Sequence, residues 1–128
     1  MSTIKGNTVV VLERDAVLRL GVEALLESWD CRVVAGDSID ELISSIRADN
    51  LRPTLLLLPP TDGRQTGDQL AERFEAEIGC SLPWIGVTGD LALLKRWKAG
   101  EIGGILLEMP CSPETLRAAM VRALQGSP

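Results

Sequence analysis

Apolar and polar positions alternate along the chain in blocks, and the blocks read as strand followed by helix, five times over. Thr8 to Leu12 is a β-branched apolar run too short for a helix, and Asp15 then stands as an N-cap before the pattern Val17, Leu20, Leu25, Leu26. Cys31 to Ala35 reads as a second strand. Ser38-Ile-Asp-Glu41 has the spacing of a capping box and opens a helix with Leu42, Ile43 and Ile46 on one side. Thr54 to Leu58 is apolar at successive positions, as a central parallel strand covered on both faces requires, and Pro59-Pro60 ends it. Thr66 and Gln69 cap a third helix carrying Leu70, Phe74 and Ile78. Pro83 to Val87 is a fourth strand, Leu91 to Lys98 a fourth helix, and Gly104 to Leu107 a fifth strand. Ser112 caps the last helix, with Pro113 in its first turn and Leu116, Met120, Val121 and Leu124 along one stripe.

Five such units without repeats predict a doubly wound, flavodoxin-like α/β fold: a five-stranded parallel sheet, order 2-1-3-4-5, with helices on both faces. With 128 residues against a prior of roughly 150 per domain, the expectation is a single domain over 1–128, with 1–7 and 126–128 as short arms.

Composition narrows the chemistry. The chain has no histidine, which removes histidine-based acid/base, metal and nucleophile-activating roles. Its net charge of −5 disfavours binding to nucleic acid or anionic membrane. Residues 1–90 carry 8 basic and 15 acidic side chains, net −7, whereas 91–128 carry 5 and 3, net +2. The last third is the basic pole. Cys31, Cys80 and Cys111 form no CxxC, so no zinc site or redox pair can be drawn; they read as small buried hydrophobes in a reducing cytoplasm. No apolar run approaches the roughly 20 residues that span a bilayer. No cofactor, metal, nucleic acid or membrane is expected.

In a sheet of this kind chemistry sits beyond the carboxyl ends of the strands, where the loops contain Glu13-Arg14-Asp15, Pro59-Pro60-Thr61-Asp62, Thr88-Gly89-Asp90 and Glu108-Met109-Pro110. With Val-Val-Val-Leu-Glu-Arg-Asp at the start, Arg-Pro-x-Leu-Leu-Leu-Leu in the middle, Val-Thr-Gly-Asp after the fourth strand and Leu-Leu-x-x-Pro-x-Ser-Pro-Glu-Thr-Leu at the fifth, the chain resembles a response-regulator receiver domain. The resemblance spans residues 8 to 125 and is closest to receivers attached to hybrid sensor histidine kinases.

It implies phosphoryl transfer to an aspartate at the end of the third strand. That step needs a carboxylate nucleophile, a divalent cation held by it and an acidic pair, a hydroxyl after strand four and a lysine after strand five. Here Glu13 matches the first acid, but Arg14 falls at the second, Pro59 at the nucleophile and Met109 at the lysine. Thr88 matches the hydroxyl, Leu106 replaces the usual switch aromatic, and Met109-Pro110 matches a peptide bond commonly cis in the family. The pattern is that of a degenerate pseudo-receiver.

The leading expectation is a non-catalytic, phosphorylation-independent interaction module of bacterial two-component signalling, not an enzyme. Its partner would be a histidine kinase or another receiver, or a second copy through the fourth helix, fifth strand and fifth helix. Lys95, Arg96, Trp97, Lys98, Arg117 and Arg122 mark that face, with core packing of Trp97 the competing reading. Two alternatives stay open: a displaced phosphoacceptor at Asp62, against a plain Asp-Gly turn, and a small α/β ligand-binding domain or enzyme that kept only the fold. At Glu13 and Arg14 an ion pair or hydrogen-bonded loop competes with an effector site, and Arg14 can stand in for the metal's charge. Thr88 reads equally as a helix N-terminal hydroxyl.

Overall fold

A computed structural model describes residues 4–126. The elements run β1 (Thr8–Leu12), α1 (Ala16–Ser28), β2 (Arg32–Gly36), α2 (Ile39–Ala48), β3 (Leu55–Leu57), β4 (Thr61–Asp62), β5 (Gln65–Thr66), α3 (Gly67–Ile78), β6 (Trp84–Thr88), α4 (Leu91–Lys98), β7 (Ile105–Glu108) and α5 (Pro113–Gln125). The main sheet has the order β2-β1-β3-β6-β7, all parallel, because β4 and β5 pair only with each other. It is the flavodoxin-like sheet the block pattern predicts.

The consecutive apolar runs are explained by burial on two sides. Val10, Leu12, Leu56 and Leu58 join a core with Leu42, Ile46, Leu70, Phe74 and Leu94 of α2, α3 and α4. Their neighbours Val9, Val11 and Leu55, with Ile85, join Leu26 of α1 and Leu116, Ala119, Met120 and Ala123 of α5. Four helices start at their sequence-predicted caps, Asp15, Ser38, Thr66 and Ser112, and α4 starts at Asp90; all five side chains accept backbone N–H groups of the first turn. Thr66 and Gln69 complete a reciprocal capping box. Ser38 makes only the forward bond, from the Glu41 N–H, so the Ser-x-x-Glu spacing is half used.

Several expectations are corrected. Val17 and Leu20 do not face the core but stand 80% and 68% exposed. The buried side of α1 is carried by Leu26, with Val22, Leu25 and Trp29 packed around it. Residues 4–7 are no arm: Ile4 is fully buried and the Gly6 N–H donates to the Asp30 carbonyl at 2.9 Å. Residues 1–3 and 127–128 lie outside the described residues. Cys31 is buried, but Cys111 is only partly so and Cys80 is exposed. Among the described residues no helix is long and apolar enough to cross a membrane.

Trp84 sets the tightest packing. Its indole N–H donates to Asp68 Oδ1 at 2.9 Å, and the same carboxylate accepts the Gly103 N–H at 3.0 Å, tying β6 to α3 and the start of β7. A Cβ on Gly67 or Gly104 would stand 2.3 Å from the indole ring, inside contact distance. Replacing Gly104→Ala is therefore expected to cost about 2 kcal/mol, in the range of overpacked cores. Urea unfolding of this variant and of a Trp84→Leu, Gly104→Ala pair checks it. The cost shrinks in the pair if the ring is its cause.

Candidate functional site

Because every strand of the main sheet points the same way, the loops after β1, β3, β6 and β7 meet at one pole. The loop after β1 is fixed by its own hydrogen bonds. The Glu13 N–H donates to the Gly36 carbonyl at 3.0 Å, its carboxylate accepts the Asp15 N–H at 3.1 Å, and its carbonyl accepts Arg19 Nη1 at 2.8 Å. Glu13 and Arg14 thus do not pair with each other. Arg14 reaches across to the loop after β3 and forks onto Asp62, Nε to Oδ1 at 2.6 Å and Nη2 to Oδ2 at 2.9 Å. The planar guanidinium matches the carboxylate edge, the strongest geometry for such a pair.

Asp62 is in place because the chain makes a short hairpin that the sequence reading left as loop. Thr61 pairs with Thr66 and Asp62 with Gln65, around Gly63 at φ +62°. Positive φ at that position is what glycine supplies without strain. The Gly67 N–H closes the base on the Pro60 carbonyl at 2.8 Å. The Asp62-Gly63 dipeptide between β-branched Thr61 and Thr66 was the signal that could have found it. The guanidinium hydrogen bond holds the Asp62 carboxyl below its ordinary 3.8, and the Arg14 pKa is raised in return.

The other positions fall as follows. Pro59 and Pro60 leave β3 and line a cleft of about 180 Å³. Thr88 is buried; its Oγ1 accepts the Asp90 N–H at 3.0 Å, and its carbonyl accepts the Met109 N–H at 3.0 Å. The cap of α4 is Asp90, so the Thr88 hydroxyl holds the preceding turn and is not the N-cap. Met109 is 55% exposed, and its bond to Pro110 is cis, as the resemblance implies. Leu106 points into the core beneath α4.

The basic residues divide. Lys95, Arg96 and Lys98 are exposed along α4, with Arg96 3.6 Å from Glu101. Trp97 packs against the core and donates its indole N–H to the Gly104 carbonyl at 2.7 Å, so it anchors α4. Arg122 borders a groove with Trp97 and Gly104. Arg117 does not join them: its guanidinium lies 5.6 Å over the Trp29 ring, at the α1 side of α5. What the sequence reading missed is apolar: the exposed large hydrophobics Val17, Leu18, Leu20, Leu91 and Met109 all belong to elements that leave the carboxyl ends of the strands.

No family model and no curated protein matches the chain. Solved structures do. A response-regulator receiver domain from Clostridium thermocellum superposes with a TM-score of 0.74 at 17% identity, covering 93% of this chain and 94% of its own. A receiver protein from Burkholderia phymatum gives 0.73 at 21%, covering 94% and 97%. The receiver domain of a modulated diguanylate cyclase from Desulfovibrio desulfuricans G20 gives 0.69 at 25%, covering 94% and 95%. The fold is that of response-regulator receiver domains. The divalent cation that this fold implies does not fit the donors here: Glu13 spends one carboxylate oxygen on the Asp15 N–H, its neighbour Arg14 carries a guanidinium, and Pro59 has no side-chain oxygen.

A depressed carboxyl stabilises the fold above the unfolded value, and that contribution is lost as pH falls through the lower folded value. In a carboxyl-detected NMR titration Asp62 is expected to titrate below 3.8 and to move upward in Arg14→Gln. An unmoved Asp62 would mean the fork does not persist in solution.

Proposed function

We propose that the chain, which has the receiver fold, is a non-catalytic, phosphorylation-independent interaction module of two-component signalling, working in the cytoplasm. The observation that carries this reading is the fork of Arg14 on Asp62. It places a fixed positive charge where the phosphorylation chemistry of such domains requires a metal-binding acid, and it occupies both oxygens of the nearest aspartate beyond β3. The same contact counts against the displaced-acceptor reading, because phosphorylation at Asp62 would have to break the fork. Met109 adds to it, since a thioether cannot neutralise a phosphoryl group.

A module that is not switched must present its binding surface at all times. Two features support this. Lys95, Arg96 and Lys98 on α4, with Arg122 across β7, offer a basic face on an otherwise acidic chain. Towards the carboxyl pole, Val17, Leu18 and Leu20 of α1 and Met109 after β7 stand more than half exposed, apolar surface that a partner could cover. The partner we infer is another signalling protein, a histidine kinase or a second receiver.

Incubation with acetyl phosphate and Mg²⁺, read by intact mass, is expected to add no phosphoryl group, and beryllofluoride is expected to leave the amide spectrum unchanged. Restoring Pro59→Asp alone should still give no labelling, because the metal site and lysine remain absent. Phosphorylation of the parent at Asp62 would overturn the proposal. For Mg²⁺ itself, calorimetry should find binding no tighter than about millimolar, since a single half-committed carboxylate replaces the several oxygens a divalent site needs.

A further inference from the structure

The cleft at the carboxyl pole has a composition unlike a phosphorylation centre. Val22 of α1 and Leu116 of α5 form its walls, Val11, Leu57 and Ile85 of the sheet its floor, and Met109 its lip. All are aliphatic or thioether side chains, and the lining holds no aromatic residue. The gap they leave is about 180 Å³. An apolar cavity of about 150 Å³ accepts a benzene ring, so a single ring with a short tail is the right size. A flexible thioether at the lip favours an aromatic guest, because sulfur contacts ring edges well.

Glu13 is the one charged residue in the lining. One of its carboxylate oxygens accepts the Asp15 N–H; among the described residues the other is committed to no hydrogen bond or ion pair. Of the two nearby cations, Arg14 is spent on Asp62 and Arg19 donates to the main-chain carbonyl of Glu13. An apolar slot with one half-used carboxylate at its edge selects a small apolar cation and disfavours an anion.

We propose that this cleft is a ligand site for small arylalkylammonium compounds, the ring seated between Val22 and Leu116 and the ammonium group on Glu13. It goes beyond the interaction reading and does not depend on any partner being bound. Residues that have lost phosphoryl chemistry thus line a pocket for a different input.

The probes are phenethylammonium, phenylacetate and ethylammonium, titrated into the ¹⁵N-labelled full chain. Phenethylammonium is expected to give saturable amide shifts centred on Val22, Val87, Met109 and Leu116. Phenylacetate should bind at least roughly fivefold more weakly, the worth of one partly exposed ion pair, and ethylammonium should give no saturable shift. Glu13→Gln should remove the preference between the two aromatic probes while leaving ring binding. Val22→Phe, which fills the slot, should abolish it; if that variant does not fold, the Glu13→Gln comparison decides alone. Equal binding of cation and anion, absence of saturable shifts at these four residues, or shifts centred on α4 would overturn the site. Phosphoryl labelling of the parent would overturn the preceding reading and leave these titrations to be judged separately.

Discussion

The constraint on which everything else rests is that the five strands of the main sheet run parallel and are buried on both faces. Parallel strands need a crossover between each pair, and here helices supply it, covering one face with α2, α3 and α4 and the other with α1 and α5. All carboxyl ends then emerge at one pole, whatever residues occupy them. The pole can lose one chemistry and keep its geometry, because the geometry belongs to the sheet and the chemistry belongs to a few loop side chains.

On the reading proposed above, the exchange at this pole is physically specific. A divalent ion is a diffusible charge that arrives with its own hydration shell and leaves again. Arg14 is a charge on the chain, delivered by a loop that Glu13, Asp15 and Arg19 already hold rigid. It links β1 to the hairpin after β3 across 48 positions of sequence without any bound ion. Both ends of the link belong to the chain, so it forms without a ligand.

Much of the fold was legible because the dominant forces are local in their signature. Runs such as Leu55 to Leu58 announce a strand covered on two faces, and four of the five helix caps, Asp15, Ser38, Thr66 and Ser112, were visible from a side chain and its spacing. The assignment of Glu13, Arg14, Pro59, Thr88 and Met109 to degenerate positions came from motif resemblance. What escaped was non-local or was apolar without being buried. The partner of Arg14 lies on a hairpin whose strands are two residues long, below the reach of periodicity. Val17 and Leu20 look like core because the pattern counts apolar residues, and only packing shows which stripe of α1 the sheet accepts. Arg117 was placed on one basic face with the residues of the last two helices, yet its guanidinium lies over Trp29.

The three tryptophans occupy three chemically distinct settings, and the chain contains no tyrosine to blur them. Trp84 is buried with its N–H on a carboxylate, Trp97 is half-buried with its N–H on a carbonyl, and Trp29 lies beneath a guanidinium. They sit respectively on the central sheet, on α4 and at the end of α1. The molecule therefore carries its own optical labels: its near-ultraviolet emission is a sum of three indoles, each reporting on a different layer. Single-tryptophan versions would let the loosening of either helical layer be followed separately from the sheet, without attaching a dye.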